Sequence, residues 1–146
     1  MRELCESAVE AALGAGASYA DARAVVRRNQ RVLTKNGKVE SVNDVETEGI
    51  GVRVLVDGAW GFACDRRLTE AGAQEAARRA VGFARATPSA NGRALAPVEP
   101  ARAAYRTPRE RDPVDVPLAD KVSLCLAAEE ALVHPHVTVT RAAVRA

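Results

Sequence analysis

Cysteine is scarce in this sequence, and its three cysteines are scattered. Cys5, Cys64 and Cys125 are too far apart for a CxxC metal or redox pair. An odd, dispersed set of cysteines is typical of a reduced cytoplasmic protein, so we expect a cytoplasmic location. Each of the three lies in an apolar stretch, which predicts small core residues and not nucleophiles.

Long hydrophobic runs and aromatic residues are also few. No apolar run reaches the roughly 18–20 residues that a membrane-spanning helix needs. The N-terminal stretch carries glutamates where a signal peptide would be apolar, and we expect no membrane partner. Aromatic residues make up only 3% of the 146 residues, but 47% are apolar, which is enough for a packed core. The length predicts a single domain over residues 1–146.

An excess of either charge is absent too. Lysine and arginine number 21 against 19 acidic residues, and the signs alternate along most of the chain. Nucleic-acid binding normally requires a concentrated basic stripe. The nearest clusters, Arg27, Arg28 and Arg31, and the pair Arg78 and Arg79, are typical of solvated faces. The charge pattern therefore argues against a nucleic-acid partner.

Established catalytic motifs are missing. The sequence contains no GxSxG elbow, no HExxH, no P-loop and no GxGxxG. His134 and His136 are the only histidines, and Pro135 between them favours a turn over a metal site, which would need further ligands. The residues alone predict no catalytic group, no cofactor site and no metal site in this chain.

Three segments carry the spacing of amphipathic helices. Residues 2–13 form the first, and residues 69–86 the second, with Thr69 as its N-cap. The inner stripe of the second consists of Ala73, Ala76, Ala77, Ala80, Val81 and Ala84. We expect this small-residue stripe to pack closely on a sheet. A third helix is predicted from Pro117 to His134. Its inner face would carry Leu118, Val122, Cys125 and Leu126.

Extended segments make up most of the remainder. Residues 20–64 are predicted to form strands, although residues 38–48 have no clean period of 2. The segment contains two dipeptides typical of type I′ hairpin turns, Asn36-Gly37 and Asp57-Gly58. Residues 136–146 predict another strand, whereas residues 88–117 hold all but one of the seven prolines and form an irregular connection. The predicted fold is α+β, a mostly antiparallel sheet of about four to five strands with alanine-rich helices on one face.

The second hairpin brings Arg53, Trp60 and Phe62 to one side of the sheet. With Asp57-Gly58 as a two-residue loop, Arg53 faces Phe62 and Leu55 faces Trp60, while small aliphatic residues occupy the other side. Two interpretations stay open: the aromatic rings are part of the core, or they are exposed as a platform for a ligand. These three residues are the candidate contact for a peptide or a partner protein.

One long segment resembles a known family. Residues 19–65, YADARAVVRRNQRVLTKNGKVESVNDVETEGIGVRVLVDGAWGFACD, with the helix that follows, resemble the N-terminal domain of the TldD branch of the TldD/PmbA (TldE) family. The similarity continues through LAPVEP, YRTP, RDP and VPLADKV to VTVTRAAVRA, so it covers nearly the whole chain. The run GIGVRVLVDGAWGFA is its most specific part.

The resemblance implies a cytoplasmic zinc metallopeptidase that degrades unstructured peptides, in a family also described as modulators of DNA gyrase. It implies a TldD-like subunit paired with a TldE-like subunit, or a homodimer. The family's HExxxH motif is absent here, and none of the three cysteines matches its cysteine ligand. We therefore expect the zinc and the catalytic domain in a C-terminal part that this chain lacks.

The first hypothesis is thus a non-catalytic domain that shapes substrate access and contributes to the dimer. A sheet edge near Arg53, Trp60 and Phe62 would hold an extended peptide by strand addition. The alternative is a free-standing module that binds a peptide or a partner subunit and has no enzymatic activity.

Overall fold

The computed structural model describes residues 1–87, 95–96, 98–99 and 101–146. Its helices are α1 (Arg2–Gly14), α2 (Glu70–Ala86) and α3 (Leu118–Glu130), and its strands are β1 (Tyr19–Lys35), β2 (Lys38–Val56), β3 (Ala59–Asp65) and β4 (Arg141–Arg145). The strands form one antiparallel sheet in the order β3-β2-β1-β4. The predicted α+β class is confirmed, with four strands. No helix in the described ranges has the length and hydrophobicity to span a bilayer.

Contacts group the chain into two compact units. Unit 1 comprises Met1–Val26 and Thr47–Ala101, and unit 2 comprises Arg27–Glu46 and Arg102–Ala146. Strands β1 and β2 each contribute residues to both units, so the units are not successive segments of sequence. Each unit is described separately below.

Both predicted hairpin turns are present. Asn36 and Asp57 adopt φ values of 50° and 48°, and the glycines that follow them adopt 70° and 79°. Two successive residues with positive φ define the type I′ turn, whose twist matches that of the strands it connects. The β2–β3 register follows from the second turn, with Val56 opposite Ala59 and Arg53 opposite Phe62, as predicted.

Unit 1 is held together by small apolar side chains. All six residues of the α2 stripe are buried, together with Val52, Val54 and Ala63 of the β2–β3 hairpin and Ala8 and Ala12 of α1. Thr69 caps α2 as predicted, because its side chain accepts a hydrogen bond from the Gly72 amide. On the polar face of α2, Glu75 forms an ion pair with Arg78 at 3.0 Å.

The close approach of α2 to β3 depends on Gly61. A Cβ atom built on Gly61 would lie 2.1 Å from the carbonyl oxygen of Ala80 and 2.7 Å from the amide nitrogen of Ala84. Such distances are far inside van der Waals contact, so only glycine fits at this point of the strand. The helix therefore lies with residues 80–84 directly against β3.

The third helix, which belongs to unit 2, differs from its prediction. Helix α3 ends at Glu130, not at His134, and its buried residues are Lys121, Cys125 and Glu129. Leu118, expected on the inner face, is exposed, and Val122 and Leu126 are only partly buried. The hydrophobic pattern was misleading because α3 is anchored through the buried polar residues Lys121 and Glu129.

Two further predictions need correction. The C-terminal strand covers only Arg141–Arg145, because residues 136–140 form turn and irregular structure before pairing with β1 begins. Of the cysteines, Cys125 is buried as expected, Cys5 is partly buried and Cys64 is exposed. Cys64 alternates with buried Ala63 on β3, so its side chain lies on the outward face.

The proline-bearing connection over residues 88–117 is described only in part. Residues 88–94, 97 and 100 lie outside the described residues. In the rest of the segment, the one regular element is a 3-10 turn at Pro113–Asp115, capped by the Asp112 side chain.

Candidate functional site

The outward face of the β2–β3 hairpin exposes two aromatic side chains. Trp60 is 45% and Phe62 61% exposed, whereas their neighbours Ala59, Gly61 and Ala63 are buried against the helix side. The structure therefore shows that both rings are exposed and not part of the core, while their use as a platform for a ligand stays a prediction. A strand that buries one face and exposes aromatic rings on the other has a surface available for contact.

The rings are held in place by neighbours on β1 and β2. Tyr19 packs edge-on against Trp60, with ring centroids 5.9 Å apart and an interplanar angle of 80°. The Arg53 guanidinium lies 5.1 Å from the Trp60 ring centroid, a cation–π distance. Arg53 also pairs with Asp21, with its Nε 2.8 Å from Oδ2. We call Tyr19, Asp21, Arg53, Trp60 and Phe62 the aromatic face.

The charge on the aromatic face is balanced. The hydrogen bond and the charge of Asp21 raise the pKa of Arg53 above its ordinary value, so Arg53 remains protonated. The guanidinium thus forms an ion pair with Asp21 and a cation–π contact with the Trp60 ring. The aromatic face therefore offers apolar and stacking contacts more than a free positive charge.

Phe62 is positioned by a glycine on the neighbouring strand. A Cβ atom on Gly51 would lie 3.1 Å from the Cε2 and Cζ atoms of the Phe62 ring. The ring thus covers the backbone of Gly51, an arrangement known to stabilise glycine within a sheet. Gly51 leaves the space in which the ring lies flat along the face.

Strand β3 is also an edge strand of the sheet. Because a two-residue hairpin hydrogen-bonds Val56 to Ala59, alternate residues from Ala59 onward bond to β2, and the amides and carbonyls of Trp60, Phe62 and Cys64 point the other way. The residues that carry the exposed side chains are therefore also those whose backbone groups face the open edge.

Unit 2 contains a buried carboxylate at the base of α3. Glu129 is 1% exposed, and its Oε2 accepts hydrogen bonds from the Gly37 amide at 2.9 Å and the Thr140 hydroxyl at 2.6 Å. Its Oε1 is buried without a hydrogen-bond partner of ordinary geometry. Burial raises the pKa of Glu129, but hydrogen bonds, chiefly from Thr140, outweigh it and leave the pKa below its ordinary value.

A second buried polar group anchors the start of α3. The ammonium of Lys121, which is 4% exposed, donates to Oε1 of Gln30. The amide of Gln30 in turn donates to Asp44 at 2.9 Å, and Arg28 makes two bonds to the same carboxylate at 3.0 and 2.7 Å. The side-chain hydrogen bond from Arg28 is the main reason that the pKa of Asp44 falls to about 2.

Unit 2 also has one groove that combines these polar groups with aliphatic residues. It has a volume of about 540 Å³ and includes Glu129 and Thr140 beside Leu126, Val133, Val137 and Val139. In this groove the polar base of α3 lies next to exposed valines. The residues that line the groove include no reactive pair of side chains.

The two histidines form a turn. The His136 amide lies 3.3 Å from Nδ1 of His134, and the rings are 5.3 Å apart. Within the described part of the chain, no three His, Cys, Asp or Glu side chains come together in a way that could hold a metal ion.

Sequence reasoning found three members of the aromatic face and missed two. Arg53, Trp60 and Phe62 were predicted from the hairpin register, and the structure brings them together. Tyr19 and Asp21 were missed because they belong to β1, whose register with β2 could not be read from the sequence. The buried Lys121 and Glu129 gave no signal, since both residue types are usually exposed on helices.

Comparisons with known proteins agree with the resemblance read from the sequence. Residues 20–84 match the family profile described as PmbA/TldA metallopeptidase domain 1. Over 45 residues the chain is 44% identical to a protein from Methanothermobacter thermautotrophicus named Metalloprotease. That match covers 31% of this chain and 10% of the relative.

Solved structures share the fold. A candidate modulator of DNA gyrase from Bacteroides thetaiotaomicron superposes with a TM-score of 0.76 at 17% identity over 99% of this chain. A second, from Thermotoga maritima, gives 0.69 at 13% identity over 99% of this chain, and TldE from Thermococcus kodakarensis gives 0.64 at 12% identity over 97%.

The chain spans only about a third of each of these solved proteins, 34%, 35% and 33% of their lengths. The profile match and the shared fold concern the same kind of domain, and they confirm the resemblance proposed from the segment that ends in DGAWGFACD. Residues 20–84 therefore form a TldD/PmbA-like domain, similar to domain 1 of that family.

Proposed function

We propose that this chain is the non-catalytic N-terminal domain of a TldD-like zinc metallopeptidase that acts on unstructured peptides. In this role it shapes the access of substrate and contributes to a dimer, with a TldE-like subunit or a second copy as the partner. Zinc and the catalytic groups belong to the remainder of the parent protein. The location, as predicted from the cysteines, is cytoplasmic.

The observation that carries this proposal is the combination of an open strand edge with an exposed aromatic face. An extended peptide can add to β3 through the outward backbone groups of Trp60, Phe62 and Cys64, and its side chains can lie on the aromatic face. Backbone pairing is independent of sequence, which suits substrates without a fixed structure. Arg53, Trp60 and Phe62 are the residues proposed to make these contacts.

The part of the chain that the structure describes offers no set of ligands for zinc. Over residues 1–87, 95–96, 98–99 and 101–146, the potential ligands do not form a group of three. We therefore assign no chemical step to this domain and limit its role to binding and orientation. The support for a metallopeptidase parent comes from the profile name and from the archaeal relative's name.

Peptide binding by the 146-residue chain tests the proposal. We expect a fluorescein-labelled, unstructured peptide to bind the wild-type chain, and Trp60→Ala and Phe62→Ala each to weaken binding about fivefold, because an aromatic contact is worth roughly 1 kcal/mol. Val25→Ala, an equally exposed apolar change in unit 1, is the matched control. Unchanged affinity in both aromatic variants would remove β3 as the contact.

A second experiment separates the proposal from the free-standing binding module. Sequencing the parent gene past codon 146 should show an open reading frame that continues into an HExxxH segment and a later cysteine. A stop codon directly after Ala146 would contradict the peptidase assignment and leave the binding module as the function.

A further inference from the structure

The open edge of β3 is bordered on one side of the sheet by the aromatic face and on the other side by helix α2. We call the α2 side the second wall. Phe83 of α2 is 51% exposed, although it lies between the buried residues Ala80 and Ala84. Both of these residues contact the backbone of Gly61 in β3. Phe83 is therefore close to the middle of β3, on its helix-facing side.

The direction of Phe83 follows from the position of α1. Gln74 and Arg85 of α2 reach α1 and its C-cap, since Gln74 bonds to the Ser7 hydroxyl and Arg85 to the carbonyl of Ala15. Phe83 comes nine residues after Gln74, which is about two and a half helical turns, so it projects from the opposite side of α2.

Helix α1 in turn lies on the side of α2 away from the β3 edge, because α1 packs against α2 whereas α2, and not α1, packs closely on β3. The side of α2 opposite α1 is consequently the side that extends past β3, beyond the edge of the sheet. Phe83 thus borders the space that a strand added to β3 would enter, on the face opposite Trp60 and Phe62.

The Asp65 end of the same edge carries excess positive charge. Arg79, four residues before Phe83 on the same side of α2, acts on the Asp65 carboxylate and lowers its pKa, after Arg67 as the main cause. Arg67 and Arg78 pair with Asp65 and Glu75 at 2.8 and 3.0 Å. Among the described residues, Arg66 and Arg79 form no ion pair.

We infer that Phe83 and Arg79 are specificity-determining residues of this edge: the strand that binds to β3 is apolar on both faces and carries an acidic group beside Asp65. One face of the bound segment lies on Trp60 and Phe62, and the other lies on Phe83. The charge of Arg66 and Arg79 complements a carboxylate at that end. This inference rests on the proposed function, since it names the substrate class for the same edge.

Four labelled peptides of the length of β3, seven residues, test it by fluorescence anisotropy. The first has valine on both faces and aspartate at one end. The second has serine in place of valine on one face, the third has lysine in place of aspartate, and the fourth is the first peptide with alternate amides N-methylated. Placing the aspartate at either end in turn reports whether the added strand is parallel or antiparallel.

We expect the wild-type chain to bind the first peptide about tenfold more tightly than the second, because one more apolar face is buried. Phe83→Ala should abolish that preference and leave the affinity for the second peptide unchanged, and Phe83→Leu should restore part of it. Arg79→Gln should reduce the preference for aspartate over lysine. Leu124→Ala, an exposed apolar change in unit 2, serves as the control.

The outcomes separate the inference from the proposed function. If Phe83→Ala keeps the full preference while Trp60→Ala weakens all peptides, the second wall is wrong and the edge site stands. If the N-methylated peptide binds as well as the first, and Trp60→Ala has no effect, strand addition itself is wrong. If no peptide binds and Phe83→Ala abolishes self-association instead, the edge pairs with a second copy and the inferred substrate class is overturned.

Discussion

The two outer strands of the sheet differ in how their open edges are protected. Strand β4 has five residues, and exposed Arg141 and Arg145 stand opposite Lys35 and Arg31 on β1. Short strands and charged side chains are the usual means by which proteins prevent unwanted pairing at an edge. The β4 edge is protected in this way.

Strand β3 lacks this protection. It has seven residues, and its exposed side chains before Asp65 are Trp60, Phe62 and Cys64, none of them a charged residue. A glycine-dependent contact with α2 keeps it flat and fixed. An apolar edge that is rigidly supported tends to pair with strands of other chains unless a partner strand occupies it. The contrast with β4 therefore supports the proposal that β3 is the binding edge.

Among the variants that test the comparison of the β3 and β4 edges, the largest change in stability is expected at Gly61. Gly61→Val would force the new side chain into the Ala80 carbonyl and the Ala84 amide, and should destabilise the chain by about 3 kcal/mol. Urea unfolding followed by circular dichroism measures this change. Gly82→Ala has open space around its Cβ and should instead stabilise α2 by about 0.8 kcal/mol. Equal effects of the two variants would mean that α2 does not support β3 as described.

The charged edge can be tested by removing its charge. The double variant Arg141→Val with Arg145→Val takes away two like-charge cross-strand pairs but also the ion pair of Arg141 with Glu40 at 3.3 Å, so stability should change by no more than about 0.5 kcal/mol. It should also make the chain self-associate in sedimentation velocity, because β4 then resembles an unprotected edge. Arg102→Val with Arg106→Val makes the same charge change on exposed residues away from the sheet. Self-association in both double variants alike would show that net charge, and not the edge, is responsible.

The reverse experiment introduces a charged side chain at the apolar edge of β3. Phe62→Lys places a lysine on β3, and because Phe62 is 61% exposed, stability should change by no more than about 0.5 kcal/mol. Peptide binding should nevertheless fall about fivefold, since an aromatic contact of roughly 1 kcal/mol is lost. A variant that still binds peptide with wild-type affinity would place the contact elsewhere.

Acid should weaken unit 2, with an effect that is absent at neutral pH. The pKa of Asp44 is about 2 instead of 3.8, so its contribution to stability is present above about pH 4 and is lost as the pH falls towards 2. The pKa of Glu129 is lowered as well, and its protonation acts in the same direction. Hydrogen exchange in α3 and β4 should therefore accelerate in this window before exchange in α1 does. Exchange at the Asp65 end of β3 should accelerate in acid as well, because Arg67 lowers the pKa of Asp65.

Asp44→Asn provides the check on this acid effect. It should flatten the pH dependence of hydrogen exchange in unit 2, because the carboxylate with the lowered pKa is no longer present. Asp57→Asn, which preserves the hairpin turn chemistry, is the control. An unchanged pH dependence in Asp44→Asn would show that the buried polar groups of α3 do not depend on this carboxylate.

Unit 1 could be predicted from the sequence because its packing follows simple periodicity. The alanine stripe of α2, the cap at Thr69 and the two turns with positive φ each depend on residues that are close in sequence. Once the Asp57-Gly58 turn was recognised, the register of β2 and β3 and the outward position of Trp60 and Phe62 followed directly.

Unit 2 could not be predicted in the same way because its contacts are polar and distant in sequence. Lys121 reaches Gln30, and Glu129 reaches Gly37, so the buried face of α3 is set by partners about ninety residues away. Hydrophobic periodicity assigned Leu118 to that face and extended the helix to His134, and both assignments were wrong. Buried charges of this kind become visible only when their partners are known.

The most direct test of the account is residue-resolved amide hydrogen exchange of the chain with and without the peptide that has valine on both faces. The outward amides of β3 belong to Trp60, Phe62 and Cys64, and those of β4 to Arg141, Ala143 and Arg145. The account predicts that peptide slows exchange at the three β3 amides and leaves the β4 amides unchanged. Slower exchange at β4 alone, or at neither edge, would contradict the claim that β3 is the binding edge.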